Sequence, residues 1–213
     1  MFIPYKDDNS TGRFAVVTFL LILASCAAFA YQVFAPDGFE AVTSRYAFNP
    51  ASFAGGTGGS LSLTTGSLLS LFSYMFCHGG FSHIGFNMLF LWIFGNNVED
   101  RMTRGGFLLF YLITGAIAAL AFAAHSPGAD VPLVGASGAV SGVLGAYLFM
   151  FPFARIHVWM LFFTMRMQAL FFLPVWFLLQ VSGFRGGADS IAWISHIAGF
   201  VAGALLFRLF TVD

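Results

Sequence analysis

Six apolar runs, each free or nearly free of charge, decide the solvent in which this chain of 213 residues folds. They are Phe14–Phe34, Phe81–Val98, Phe107–Ala124, Val134–Phe151, Met167–Val181 (its ends loosely defined) and Ile191–Phe210. A helix rising 1.5 Å per residue needs about 20 such residues to cross a hydrocarbon layer roughly 30 Å thick. Charged residues make up 8% of the chain and hydrophobic ones 59%, 29 of them phenylalanine. An ordinary soluble domain is about 25% charged, and no soluble core of this size hides that much apolar surface. The expectation is a single all-α domain over 1–213, a polytopic membrane protein built as a six-transmembrane-helix bundle with the lipid bilayer around it. Formal net charge is zero, which argues against nucleic acid as a partner.

The charges that remain orient the bundle. With six spans, Lys6, Arg13, Arg101, Arg104, Arg155, Arg166 and Arg208 fall on one side and only Arg45 and Arg185 on the other. Basic residues favour the cytoplasmic face. The termini are therefore expected in the cytoplasm, across a bacterial or archaeal plasma membrane. The long connection from Ala35 to Gly80 is then external. Its run Gly55-Gly56-Thr57-Gly58-Gly59-Ser60 lacks the Lys-Ser/Thr ending of a phosphate cradle and reads as a flexible loop. Leu68–Phe76 is apolar enough to dip into the interface. Ala28-Phe29-Ala30 imitates a signal-peptide cleavage site. However, the first run exceeds a usual signal core, Asp7 and Asp8 precede it, and its removal would leave an odd span count. No soluble appendage is expected. Cys26 and Cys77 match no metal or redox spacing, and Cys26 reads as a small buried thiol.

Against this apolar background a few polar side chains stand out. Such groups at membrane depth face the bundle interior and mark function. Gly135-Ala136-Ser137-Gly138 opens the fourth run, and His196 sits inside the sixth. Serine with histidine is the smallest set that makes an activated nucleophile. Ser137 at a first helical turn would have outward N–H groups beside it, part of an oxyanion site. Taken alone, the motif fits a helix-capping serine as well. The sixth run changes that balance. His196, Gly199 and Gly203 share a helical face, and Gly199-x-x-x-Gly203 and Gly138-x-x-x-Gly142 have the spacing that lets membrane helices approach closely.

A third cluster runs from His78 to Asn87. His83 and Asn87, four apart, share a face of the second span and both can donate hydrogen bonds to a developing oxyanion. His78 lies at the helix mouth. A metal site would want a carboxylate or further ligands nearby, so none is expected; a purely structural polar network is the other reading. No carboxylate falls in the external half of any span, since Glu99 and Asp100 belong to the cytoplasmic side. A Ser-His-Asp triad has no third member here, which leaves a dyad.

Together these residues resemble the rhomboid family of intramembrane serine proteases. The resemblance rests on Gly135-Ala136-Ser137-Gly138, on His196-Ile197-Ala198-Gly199, on His78-x4-His83-x3-Asn87 and on Phe90-Leu91-Trp92-Ile93-Phe94-Gly95-Asn96-Asn97-Val98-Glu99-Asp100. It implies that Ser137 attacks the scissile carbonyl of a substrate transmembrane segment. His196 would take the proton and pass it to the leaving amine. Asn87, His83 and the Ser137 N–H would hold the oxyanion, Gly135 would shape the turn, and His78 would support the site from the loop. The partners implied are transmembrane protein substrates, with no cofactor. The fifth span, with Pro174, resembles the mobile helix past which substrate enters. Two departures stand. Ser141 occupies the place where some relatives carry an aromatic under the histidine, and a Trp-Arg pair before His78 is missing. The rival readings are an inactive rhomboid-like scaffold that binds membrane segments, and a transporter. Against the scaffold, both Ser137 and His196 are kept; against the transporter, inverted repeats and an intramembrane carboxylate are missing.

Overall fold

Helix α8 (Ser137–Met150) stands at the centre, and every residue from Gly138 to Tyr147 is buried. A helix apolar on all sides has no face to give to solvent and must be surrounded. Its neighbours are α7 (Arg104–His125) on one flank and α10 (Ser190–Leu206) on the other. The chain is described by a computed structural model over residues 2–9, 11–53, 64–127, 131–160, 162–185 and 190–212. The glycine run at 55–60 lies outside these described residues.

In chain order the helices are α1 (Val16–Phe34), α2 (Phe39–Tyr46), α3 (Pro50–Phe53), α4 (Thr65–Ser73), α5 (Phe81–Phe90), α6 (Asn96–Asp100), α7, α8, α9 (Ala169–Arg185) and α10. A π-helical turn, Leu91–Gly95, joins α5 to α6 without a break. Helices thus occupy each of the six apolar runs, with shifted limits. The fourth begins only at Ser137, because Gly135 takes a left-handed φ of 109° and turns the chain. Among them α1 and α7 are long and apolar enough to cross a membrane by length and composition alone.

Close approach comes from glycine. A Cβ on Gly199 would fall inside the Gly138 carbonyl oxygen, one on Gly203 inside that of Gly142, and one on Gly145 inside that of Phe200. On the other flank, a Cβ on Gly142 would lie 2.5 Å from the Thr114 Cβ, and one on Gly138 2.7 Å from the Ala118 Cβ. Backbone-to-backbone packing of this kind is how membrane helices gain contact without a hydrophobic drive between them.

The all-α expectation needs correction. Strands β1 (Phe2–Asp7), β2 (Arg155–Met160) and β3 (Phe163–Gln168) form an antiparallel sheet in the order β1-β2-β3. Ile156 and Val158 are buried and alternate with polar or exposed neighbours, a strand period inside what reads as a loop between spans. Consequently Met167 belongs to β3, and the fifth long helix runs from Ala169 to Arg185 rather than from 167 to 181. Pro4 is accommodated on an edge strand, next to a register shift between Pro4 and Lys6.

This sheet lies at one end of the bundle, where buried polar groups close the structure. Tyr147 donates to Asp7 Oδ2 at 2.5 Å and Asn97 to the same oxygen at 2.9 Å. Burial raises the Asp7 carboxyl above its ordinary value, partly offset by those donors; Asp8, bonded to His157 Nε2 at 2.6 Å, is held below its own. Glu99 accepts from the Val17 and Thr18 N–H groups at 2.9 and 2.7 Å, capping α1, whose own Ala15 has no side chain to do so. Arg13 pairs with Asp100, and Val212 N–H donates to the Arg101 carbonyl. At the opposite end Phe48 pairs with Leu133, and Gly135 N–H donates to the Tyr74 carbonyl at 2.9 Å. Lys6, Arg13, Arg101, Arg104, Arg155, Arg166 and Arg208 all belong to segments at the sheet end.

Cys26 departs from expectation. It is exposed on the outer face of α1, while Cys77 is buried, and both thiols are free. The run around Cys26 is apolar because that face meets an apolar surrounding, not because it is packed inside.

Candidate active site

Ser137 is the first residue of α8, and the residue before it, Ala136, offers no side-chain cap. The Ser137 Oγ lies 2.8 Å from His196 Nε2. The serine therefore stands inside the first turn with its hydroxyl aimed across to α10. Ser141, one turn on, donates to the Ser137 carbonyl at 2.6 Å.

The turn that delivers Ser137 is held from both sides. Gly135 is required twice: by its φ of 109°, and because a Cβ there would lie 2.6 Å from His83 Nε2. His78 is fully buried, and its Nε2 faces the Ala136 N–H at 3.4 Å while its Nδ1 meets the Phe76 carbonyl at 3.2 Å. Its backbone is anchored in turn by Gln32 of α1, whose Oε1 accepts from His78 N–H at 2.9 Å.

His83 Nδ1 accepts from the Gly79 N–H at 3.2 Å. A neutral imidazole that accepts through Nδ1 carries its proton on Nε2, so the nitrogen facing Gly135 is a donor. Asn87 is buried and gives one amide hydrogen to the His83 carbonyl at 2.9 Å, leaving a second. A cavity of about 280 Å³ brings the polar groups together. His83, Asn87, Ser137, Ser141 and His196 line it, with Ser82 and Gln180 beside them and Phe86, Phe90, Val140 and Trp176 as apolar wall. His78 is buried and is not among the residues lining the cavity. The rings of His78 and His83 meet edge to face with centroids 5.3 Å apart.

Residues 65–212 match the Rhomboid domain. That stretch is more than half of the chain and holds Ser137, His196, His83, Asn87 and His78. The chain belongs to the rhomboid family. It is 32% identical over 153 residues to Rhomboid protein 1, mitochondrial, of Saccharomyces cerevisiae, covering 65% of this chain and 41% of that one. It is 45% identical over 75 residues to Rhomboid protease GluP of Bacillus subtilis, covering 34% of this chain and 14% of the relative. With Putative rhomboid protease YdcA of the same organism it shares 35% identity over 97 residues, covering 46% and 48%. The chain thus spans less than half the length of each of these relatives. Membership of the rhomboid family makes it an integral membrane protein with a polytopic fold.

What holds the histidine of this rhomboid was not legible from the motifs. With Ser141 in place of an aromatic, His196 is flanked by Trp193 on its own helix, centroids 5.8 Å apart and nearly perpendicular, and by Trp176 of α9 at 6.5 Å. Gln180 of α9 is buried, and its Oε1 lies 2.8 Å from His196 Nδ1. The far nitrogen of the imidazole thus meets an amide oxygen, a contact the sequence reading does not include. The signal was present: an amide inside Phe177-Leu178-Leu179-Gln180-Val181 is as costly at membrane depth as the serine or the histidine. Gln32, inside α1, is the same kind of signal.

Proposed function

We propose that this rhomboid is an intramembrane serine endopeptidase that cleaves transmembrane segments of other membrane proteins near the external face, with Ser137 as nucleophile and His196 as general base. The observation that carries the proposal is the 2.8 Å contact between Ser137 Oγ and His196 Nε2. His196 takes the hydroxyl proton as Oγ adds to the substrate carbonyl. The charge on the resulting oxyanion is met by the Ser137 N–H at the start of α8, the free Asn87 amide hydrogen and the His83 Nε2–H. His196 then returns the proton to the leaving amine, and a water activated by the same imidazole hydrolyses the acyl-enzyme. No cofactor enters this cycle.

The length of α8 supports a site below the membrane surface. Its 14 residues measure roughly 21 Å at 1.5 Å per residue, against about 30 Å of hydrocarbon. With its Met150 end among the basic, cytoplasmic segments, its Ser137 end stops short of the external surface. The polar cavity admits water to that depth, where irregular backbone and polar groups are tolerated only if they line such a space. In this reading all six long helical stretches span the membrane as one domain. Substrates are membrane segments that unwind readily, with small residues near the cut, because a peptide bond inside a regular helix is shielded.

Purified protein in detergent or liposomes tests the assignment. A fluorophosphonate should label the wild type and leave Ser137→Ala unlabelled, and cleavage of a model transmembrane substrate should vanish in Ser137→Ala and His196→Ala. Label persisting on Ser137→Ala would remove that residue from the nucleophile's role. A wild type that binds membrane segments but neither labels nor cuts would mark a non-catalytic scaffold.

A further inference from the structure

An imidazole serves as base toward a hydroxyl only in the tautomer that leaves the facing nitrogen unprotonated, and that choice is made by the hydrogen bond on the other nitrogen. In His196 the facing nitrogen is Nε2, 2.8 Å from Ser137 Oγ, and the other is Nδ1, 2.8 Å from Gln180 Oε1. The amide of Gln180 is not free to flip. Its Nε2 donates to the Trp176 carbonyl one turn earlier in α9, at 3.2 Å, which leaves Oε1 as the atom facing the imidazole. A carbonyl oxygen can only accept, so Nδ1 must carry the proton.

We propose that Gln180 is a positioning residue of this site, holding His196 in the Nδ1–H tautomer so that Nε2 can take the proton of Ser137. This rests on the reading of Ser137 and His196 as the catalytic pair. Gln180 does for orientation what a carboxylate does in a Ser-His-Asp arrangement, but without the charge that would stabilise the imidazolium. The groups lining the cavity around His196 are Ser137, Val140 and Ser141 from α8, Trp176 and Gln180 from α9, and Ser82, His83, Phe86, Asn87 and Phe90 from α5. His83 is the other titratable group in that set, and no Asp, Glu, Lys or Arg lines the cavity among the described residues. Because Gln180 belongs to α9 and His196 to α10, displacement of α9 would release the imidazole from its tautomer while the serine stays in place.

The test compares Gln180→Leu and Gln180→Glu with wild type, using a quenched-fluorescent model transmembrane segment in detergent across pH 5–9. Gln180→Leu should lower kcat by about 10- to 100-fold with KM changed less than about twofold. Gln180→Glu keeps the shape and the accepting oxygen but adds a negative charge that favours the imidazolium. It should retain activity within about tenfold while the acid limb of kcat/KM moves upward by about one pH unit. Loss of activity in Gln180→Leu with no displaced limb in Gln180→Glu assigns Gln180 to packing alone and overturns the proposal, as does wild-type kcat in Gln180→Leu. If Gln180→Leu does not fold, the pH profile of Gln180→Glu decides by itself. Activity surviving in Ser137→Ala or His196→Ala would instead defeat the underlying reading, so the two failures are distinct.

Discussion

Asn87 gives one amide hydrogen to the His83 carbonyl, 2.9 Å away, and keeps the other for the cavity. The first bond orients the amide; the second hydrogen is the one available to charge developing on a substrate oxygen. Removing a single donor of this kind typically lowers kcat by about 10²- to 10³-fold. Asn87→Ala should therefore slow cleavage by about 10²-fold while fluorophosphonate still labels Ser137; an unchanged rate would assign Asn87 to the internal bonding of α5 only. The same reasoning separates His78 from His83. Both nitrogens of His78 face backbone groups, the Phe76 carbonyl and the Ala136 N–H, so it shapes the turn before Ser137. His83 has its Nε2–H turned toward Gly135. The resemblance already implies support from His78 and oxyanion contact from His83; the structure adds which backbone groups each ring meets.

Between α8 and α10 the glycines at 138, 142, 199 and 203 remove the side chains that would hold the backbones apart. The pair Ser137 and His196 can meet at 2.8 Å only because both short side chains start from backbones in contact. Gly203→Val, about two turns from His196, would push its Cβ into the Gly142 carbonyl. Overpacking of this sort costs about 1–3 kcal/mol. The expected result is a lowered midpoint of thermal unfolding in detergent together with loss of fluorophosphonate labelling; wild-type stability and labelling would mean that the helices separate without consequence for the site. The small-residue spacing was visible in the sequence as a pattern. The sheet was not read from the sequence: Arg155-Ile156-His157-Val158-Trp159-Met160 alternates only in part, and its partner β1 lies some 150 residues earlier in the chain, so no local pattern pairs the two.

The outer surface of the bundle carries Phe14, Leu23, Phe34, Leu109, Phe171, Leu178 and Leu205, all exposed, which only an apolar solvent accommodates. The two ends differ in kind. One gathers the sheet, the Asp7–Tyr147–Asn97 network and seven basic residues; the other carries the turn before Ser137. With the basic end cytoplasmic, Asp37→Cys introduced into a Cys26→Ser, Cys77→Ser background should react with an impermeant maleimide added to intact cells. Arg104→Cys should react only after permeabilisation. Both side chains are exposed, so accessibility follows from sidedness, and the reverse pattern would invert the orientation.

Sequence by itself determined that this chain must live in lipid, where its long helices lie to within a few residues, and that a hydroxyl, an imidazole and an asparagine share the interior. Those follow from composition and helical period, which are local properties. Only the tertiary structure decided what touches what. It turned Gln180 toward His196 Nδ1, set the His78 ring against the turn before Ser137, capped α1 with Glu99 and joined β1 to β2. Each of those contacts links side chains or strands brought together by packing, over separations in the chain that no periodicity encodes.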